Sequence, residues 1–431
     1  MKCAGVLVLM VGTVVLQAAC DRPTSPVDPL DAAFSQATAS QYEQLGEAIF
    51  FDMDLSINQN QSCASCHDPA WGFTGPIAAF NAEGAVYEGS IAGRFGDRKP
   101  PSAAYATVSP ILYFGKDGFV GGNFWDGRAT GEKLGNPAAD QAQGPFLNPK
   151  EQGLPDMACV VYRVSRASYK GLYDQAFPGN SLSSIAFPTD VETVCATEGT
   201  TVSLSASDRD AVYQEYDRIA LAIAGYEGSP VVNAFTSKFD AWRGGGGARL
   251  TKDELRGFSL FQGKGKCQRC HPSAGKEPLF TDFTYDNLGV PANLKNPALL
   301  ADPSFVDKGL GGFLQAAGYP ASVWMEEMGK VKVPTLRNVD RRPMGGGMVK
   351  AYMHNGVFKS LKEVVHFYNT RDVLPDCATV TGPPVIGTNC WPAPEIAQNV
   401  NTDELGDLGL TADEEDAIVA FLKTLSDGFM P

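Results

Sequence analysis

Apolar residues along this chain recur at helical spacing more often than in strict alternation, and three segments carry a helix start signal. Ser40 and Glu43, Thr251 and Glu254, and Thr411 and Glu414 each set a hydroxyl three residues before a glutamate, so that side chain and backbone can cap each other at a helix start. After the third, Ile418, Val419, Phe421, Leu422 and Leu425 form one apolar stripe, and Gly428 is the predicted stop. Residues 209–224 also read as helix, whereas strand signals are sparse. The pattern predicts a mainly α fold with long loops.

The first two start signals belong to an internal repeat. Each is followed at equal offsets by glycine (Gly46, Gly257) and phenylalanine (Phe50, Phe261), and then by Cys-x-x-Cys-His: Cys63, Cys66 and His67, then Cys267, Cys270 and His271. Two equivalent modules are predicted, each a helix followed by the same loop. The glycine run 244–247 marks the boundary, giving an N-terminal domain over 40–243 and a C-terminal domain over 248–431, with 21–39 as linker.

Residues 1–20 read as a signal peptide. Lys2 precedes an apolar run over 4–16, too short to span a bilayer, which ends near Ala18 and Ala19. Cys20 follows at once and is compatible with a lipid anchor, although Gln17 stands where such sites usually carry leucine. No other stretch could cross a membrane. The formal net charge of −14 without a basic stretch argues against nucleic acid and anionic membranes as partners.

Ten cysteines are present. Setting aside Cys3, Cys20 and the two motifs leaves four, for which local closure predicts Cys159–Cys195 and Cys377–Cys390, because each pair brackets a loop-like insertion. Two structural disulfides point to an exported protein in the periplasm or at the cell surface.

Cys-x-x-Cys-His is highly specific. Two thiols at this spacing reach the two vinyl groups of one haem, and the adjacent histidine turns inward as the proximal iron ligand. A redox dithiol would not need the histidine, and a zinc site suits adjacent cysteine and histidine poorly. Two c-type haems are therefore predicted, one per cytochrome c-like domain. The only other histidines are His354 and His366, and none lies between His67 and His271. The first haem thus lacks a local distal histidine, which leaves a position open for peroxide, with Met157 as the alternative ligand. For the sixth ligand of the second haem, Met344, Met348, Met353, His354, His366 and Tyr368 are candidates among which composition does not choose.

The stretches Leu45-Gly-Glu-Ala-Ile-Phe-Phe-Asp-Met-Asp-Leu-Ser56, Cys63-Ala-Ser-Cys-His-Asp-Pro-Ala-Trp-Gly-Phe-Thr74, Phe124-Trp-Asp-Gly-Arg-Ala129, Gly144-Pro-Phe-Leu-Asn-Pro-Lys-Glu151, Val333-Pro-Thr-Leu-Arg-Asn338 and Tyr352-Met-His-Asn-Gly-Val-Phe358 resemble the bacterial di-haem cytochrome c peroxidase and MauG superfamily. The likeness runs in order from about residue 40 to the C-terminus. It implies that the His67 haem is peroxidatic, that Gln141, Pro145 and Glu151 form its distal side with Glu151 as acid/base, and that Trp125 relays charge between the haems. An insertion at about Gly135–Asp140 is expected to lengthen a loop beside that group. In such enzymes the second haem's ligand lies fourteen residues after the histidine of Tyr-x-His-x-Gly, which here gives Tyr368. Tyrosine at that place marks the MauG-like branch, and methionine the cytochrome c peroxidases. His366 is then structural or at the surface. An asparagine that binds calcium is replaced by Lys99 in Arg98-Lys99-Pro100-Pro101-Ser102, so calcium, open through carbonyls and water, is no longer implied.

The resemblance implies a peroxide-dependent oxidase that uses a high-valent di-haem state to oxidise a partner protein. The segment Gly309-Leu-Gly-Gly-Phe-Leu314 and the extended loops look most like MbnH-type enzymes, which oxidise a tryptophan side chain. The alternatives are a cytochrome c peroxidase that takes electrons from a small redox protein, and a di-haem electron carrier without enzymatic activity.

Overall fold

The computed structural model describes residues 39–343 and 348–430, with side chains from residue 41. The expected signal segment, Cys20, the linker up to residue 38 and Met344 lie outside the described residues. The fold is mainly α with long loops. Six helices carry or position the site: α1 (Ala39–Phe50), α2 (Pro137–Leu147), α3 (Ala206–Glu227), α4 (Lys252–Gln262), α5 (Leu361–Thr370) and α6 (Ala412–Lys423). The described strands are two short antiparallel pairs, Tyr113–Gly115 with Gly118–Val120, and Tyr285–Asp286 with Val331–Lys332.

Two of the three helix starts form as expected. The Thr251 hydroxyl accepts from the Glu254 amide at 3.2 Å and the Glu254 carboxylate accepts from the Thr251 amide at 2.6 Å; Thr411 and Glu414 repeat the exchange. The first does not. Ser40 is itself helical in α1, which the described residues enter at Ala39, so it does not stand at the cap. The last stop also differs. Helix α6 ends at Lys423, where the Thr424 hydroxyl bonds the Phe421 carbonyl at 2.6 Å, and Gly428 serves a later turn at φ +84°.

The repeat is a packing device. Helix α1 lies against α3, and α4 against α6, each at a glycine that lets two backbones touch. A Cβ built on Gly46 would stand 1.9 Å from the Ala222 carbonyl oxygen, and one on Gly257 would stand 1.9 Å from that of Ala417. Backbone cannot yield as a flexible side chain can. Gly257→Ala should therefore cost about 1–3 kcal/mol, read as a lowered Tm of the holoprotein. An unchanged Tm would show that this crossing tolerates separation.

Leu45, Ile49, Phe50, Phe146, Ile219 and Ile223 belong to one buried core, and Phe261, Phe280, Phe421 and Leu425 to a second. The second core also takes in Phe239, from ahead of the glycine run, whose ring meets Phe280 at 5.3 Å and Phe421 at 5.9 Å. Both local disulfides, Cys159–Cys195 and Cys377–Cys390, are present. Among the described residues no helix is long and apolar enough to cross a membrane.

Candidate active site

The two Cys-x-x-Cys-His loops adopt the same local form. In each, the first cysteine opens a short 3-10 turn, and the histidine amide returns to that cysteine's carbonyl, His67 to Cys63 at 2.9 Å and His271 to Cys267 at 2.9 Å. All four cysteines are free of disulfides. The His67 Nδ1 donates to the Phe73 carbonyl at 3.1 Å and the His271 Nδ1 to the Phe280 carbonyl at 2.7 Å. A carbonyl only accepts, so each Nδ1 holds the ring proton and each Nε2 keeps its lone pair for a metal. Burial pushes both imidazoles below their ordinary value, against those carbonyl contacts. Neutral histidines beside paired free thiols are the donor set that a thioether-bound haem requires, so the residues fit the group at both loops.

Beside the first loop lies a cavity of 560 Å³ walled by Cys63, Cys66 and His67. Gln141, Pro145 and Glu151 line it as well. Gln141 and Pro145 are one helical turn apart on α2, and the Glu151 amide folds back to the Asn148 carbonyl at 2.9 Å just past the helix end. The expected loop lengthening at about Gly135–Asp140 is not what forms. Asn136 caps the helix by accepting from the Ala138 amide at 2.8 Å, and residues 137–140 are the first turn of α2. Asparagine at the cap and proline at the first helical position favour that start. Met157, the alternative first-haem ligand, begins another helix and lies against the first core, not in the cavity wall.

Burial pushes the Glu151 carboxyl above its ordinary value; Arg128 and a hydrogen bond with Asn148 pull the other way. A second carboxylate, Glu227, lines the same cavity, and burial pushes it up to about 8. Sequence reading missed it, although Ile219, Ile223 and Glu227 recur at four-residue spacing on the buried face of α3.

Trp125 is buried where residues distant in sequence meet. Its indole Nε1 donates to the Lys99 carbonyl at 2.8 Å, the Lys99 amide donates to the His354 carbonyl at 2.8 Å, and the Lys332 amide donates to the Trp125 carbonyl at 2.8 Å. The His354 ring meets the indole edge to face at 6.5 Å.

Tyr368 lies on α5 close to Cys267 and Cys270. Burial, and then those two cysteines, push its phenol well above the ordinary value. No protein hydrogen bond to its phenolic oxygen occurs among the described residues. The other candidates lie elsewhere. His366 is engaged at both nitrogens, with Glu415 and with the Gly387 carbonyl, each at 2.8 Å, and Met348 is exposed. Met353 lines the first cavity, and His354 faces Trp125.

A family model for the di-haem cytochrome c peroxidases matches residues 40–248. The methylamine utilization protein MauG of Paracoccus denitrificans is 32% identical over 427 residues, covering 96% of each chain. The chain belongs to the di-haem cytochrome c peroxidase and MauG family. A cytochrome-c peroxidase of Denitromonas iodatirespirans is 26% identical over 94% of this chain and 86% of its own. The solved structure of the diheme peroxidase BthA from Burkholderia thailandensis superimposes with a TM-score of 0.70 at 30% identity, over 94% of this chain and 89% of that one. Membership makes the chain an oxidoreductase of the peroxidase type, with two c-type haems, peroxide as oxidant and a redox protein as partner.

At the position of the calcium-binding asparagine the chain offers a cation instead of an oxygen donor. Lys99 stands at the aligned position, with its Nζ bonded to the Thr74 hydroxyl and the Pro100 carbonyl, each at 3.0 Å. Among the described residues the one cluster of acidic, thiol or imidazole groups close enough to share an ion is Cys270, Asp286 and Glu404, and its thiol belongs to the haem attachment.

Proposed function

We propose that this enzyme is a MauG-like peroxide-dependent oxidase, with its peroxide site at His67 and its electron-accepting end at His271 and Tyr368. The observation that carries the reading is that Tyr368 shares the second core with Cys267, its phenolic oxygen free of protein hydrogen bonds among the described residues. A phenolate is a hard anionic donor that favours oxidised iron, whereas a thioether favours reduced iron. Bound at these loops, the haems supply the iron that cleaves peroxide and stores its two oxidising equivalents. Glu151 accepts the proton from the bound peroxide oxygen and returns it to the leaving oxygen, with Gln141 and Pro145 shaping that wall. Trp125, held by the Lys99 carbonyl at its Nε1, carries charge between a module over 40–243 and one over 248–431.

The substrate class that follows is an exported redox-active or electron-rich protein side chain, a tryptophan as in MbnH-type enzymes, met in the periplasm or at the cell surface. The test is addition of hydrogen peroxide to the fully oxidised protein. A long-lived oxidised species without prior reduction supports the proposal, and a requirement for one-electron pre-reduction places the enzyme with the cytochrome c peroxidases. Mass spectrometry of a co-expressed partner then reads peroxide-dependent oxygen insertion. An unmodified partner refutes the tryptophan assignment.

A further inference from the structure

Three lysines at the seam between the two halves share an arrangement that neither the haems nor the peroxide chemistry requires. The Lys350 Nζ donates to the carbonyls of Trp71 (3.1 Å), Asn338 (2.9 Å) and Arg341 (2.9 Å). The Lys359 Nζ donates to those of Asn81 (2.7 Å), Glu83 (2.8 Å) and Gly356 (2.7 Å). The Lys332 Nζ meets the Ser109 hydroxyl (2.6 Å), the Asn123 amide oxygen (3.0 Å) and the Gly122 carbonyl. None of the three makes an ion pair with a carboxylate among the described residues.

Three acceptors around one nitrogen need three N–H bonds, which only the ammonium form supplies. Burial opposes the charge, pushing Lys332 down to about 7 and Lys359 down to about 8, so each ammonium depends on its oxygens for the solvation that water would give. Oxygen-only cages of neutral donors are what a hard cation takes. Every cage also crosses the seam. A second-half lysine reaches Trp71, Asn81, Glu83, Ser109, Gly122 or Asn123 in the first half, and Lys332 and Lys350 line the cavity that also holds Trp125.

We infer that Lys332, Lys350 and Lys359 are tethered cations that lock the two haem modules together, so that this enzyme needs no divalent metal ion between them. A covalently carried ammonium cannot be chelated or exchanged, so the alignment of both modules on Trp125 is fixed by the chain itself. This holds whichever partner the enzyme oxidises.

The holoenzyme with both haems tests it. Dialysis against EGTA should leave Tm and the haem spectra unchanged, and elemental analysis should find iron but no stoichiometric calcium. Lys350→Ala empties one cage; Tm should fall by roughly 5–10 °C and recover in ammonium or methylammonium salts but not in tetramethylammonium, which has no N–H. Should Lys350→Ala fail to fold, Lys359→Ala at the more exposed cage carries the same comparison. Stoichiometric calcium whose removal lowers Tm overturns the inference. So does a variant as stable as its parent, or one that ammonium and tetramethylammonium treat alike, since the lysine stem would then matter only as packing.

Discussion

Glu151→Gln slows the reaction of the oxidised enzyme with hydrogen peroxide by about 10²–10⁴-fold, the usual worth of a positioned acid/base. Glutamine keeps the size and polarity of the side chain but can neither take the peroxide proton nor give it back. Haem content, Tm and the resting spectra should stay as in the parent, because Glu151 lines the cavity and lies outside both attachment loops. The pH profile supplies an independent reading. Burial lifts the Glu151 carboxyl above 4.5, so the carboxylate that accepts the proton is scarce at low pH. The rate therefore rises with pH through that lifted value and then levels, and in Glu151→Gln this rise disappears. The same lift acts oppositely on stability: a carboxyl that holds its proton more tightly when folded stabilises fully below its unfolded value and loses that contribution as pH rises through the folded one. Stopped-flow rates across pH decide the matter. If Glu151→Gln reacts at the parental rate, proton movement belongs elsewhere in the cavity, and Glu227 is the next carboxylate to replace.

With Tyr368 as the proposed ligand, Tyr368→Met exchanges a hard anionic oxygen for a soft neutral sulfur at the second iron. The reduction potential of that haem should rise by a few tenths of a volt, on the order of what axial ligands control. The oxidised variant should then fail to form a long-lived species with peroxide and should respond only after one-electron reduction. Spectroelectrochemical titration reads the potential, and stopped-flow absorbance reads the species. The variant is expected to fold, because α5 is held by its own capping box at Ser360 and Glu363 and by the buried Phe367, whereas Tyr368 is only partly buried. An unchanged potential and an unchanged peroxide response would show that the phenol does not bind the iron.

Much of this architecture was legible in residue order. The two Cys-x-x-Cys-His loops, the helix starts at Thr251 and Thr411 and both disulfides follow from covalent or short-range rules. Such rules act within a few residues or on a fixed spacing, so they survive without knowledge of the fold. Their reach is also their limit. The insertion at Gly135–Asp140 reads as loop from spacing alone, and only Asn136 and Pro137 acting together with the rest of α2 turn it into helix.

That Glu227 joins Gln141, Pro145 and Glu151 at the first cavity, and what ties the two halves together, was decided by tertiary structure alone. Its spacing with Ile219 and Ile223 puts Glu227 on the apolar face of α3, but only the packing of α3 against α1 at Gly46 shows that this face meets the cavity. The cages of Lys332, Lys350 and Lys359 are built mostly of backbone carbonyls, which every residue carries, so no residue pattern announces them. Each lysine meets the first-half oxygens of its cage only after segments more than two hundred positions apart have folded against each other. A buried charge then becomes tolerable because the folded chain, in place of water, solvates it.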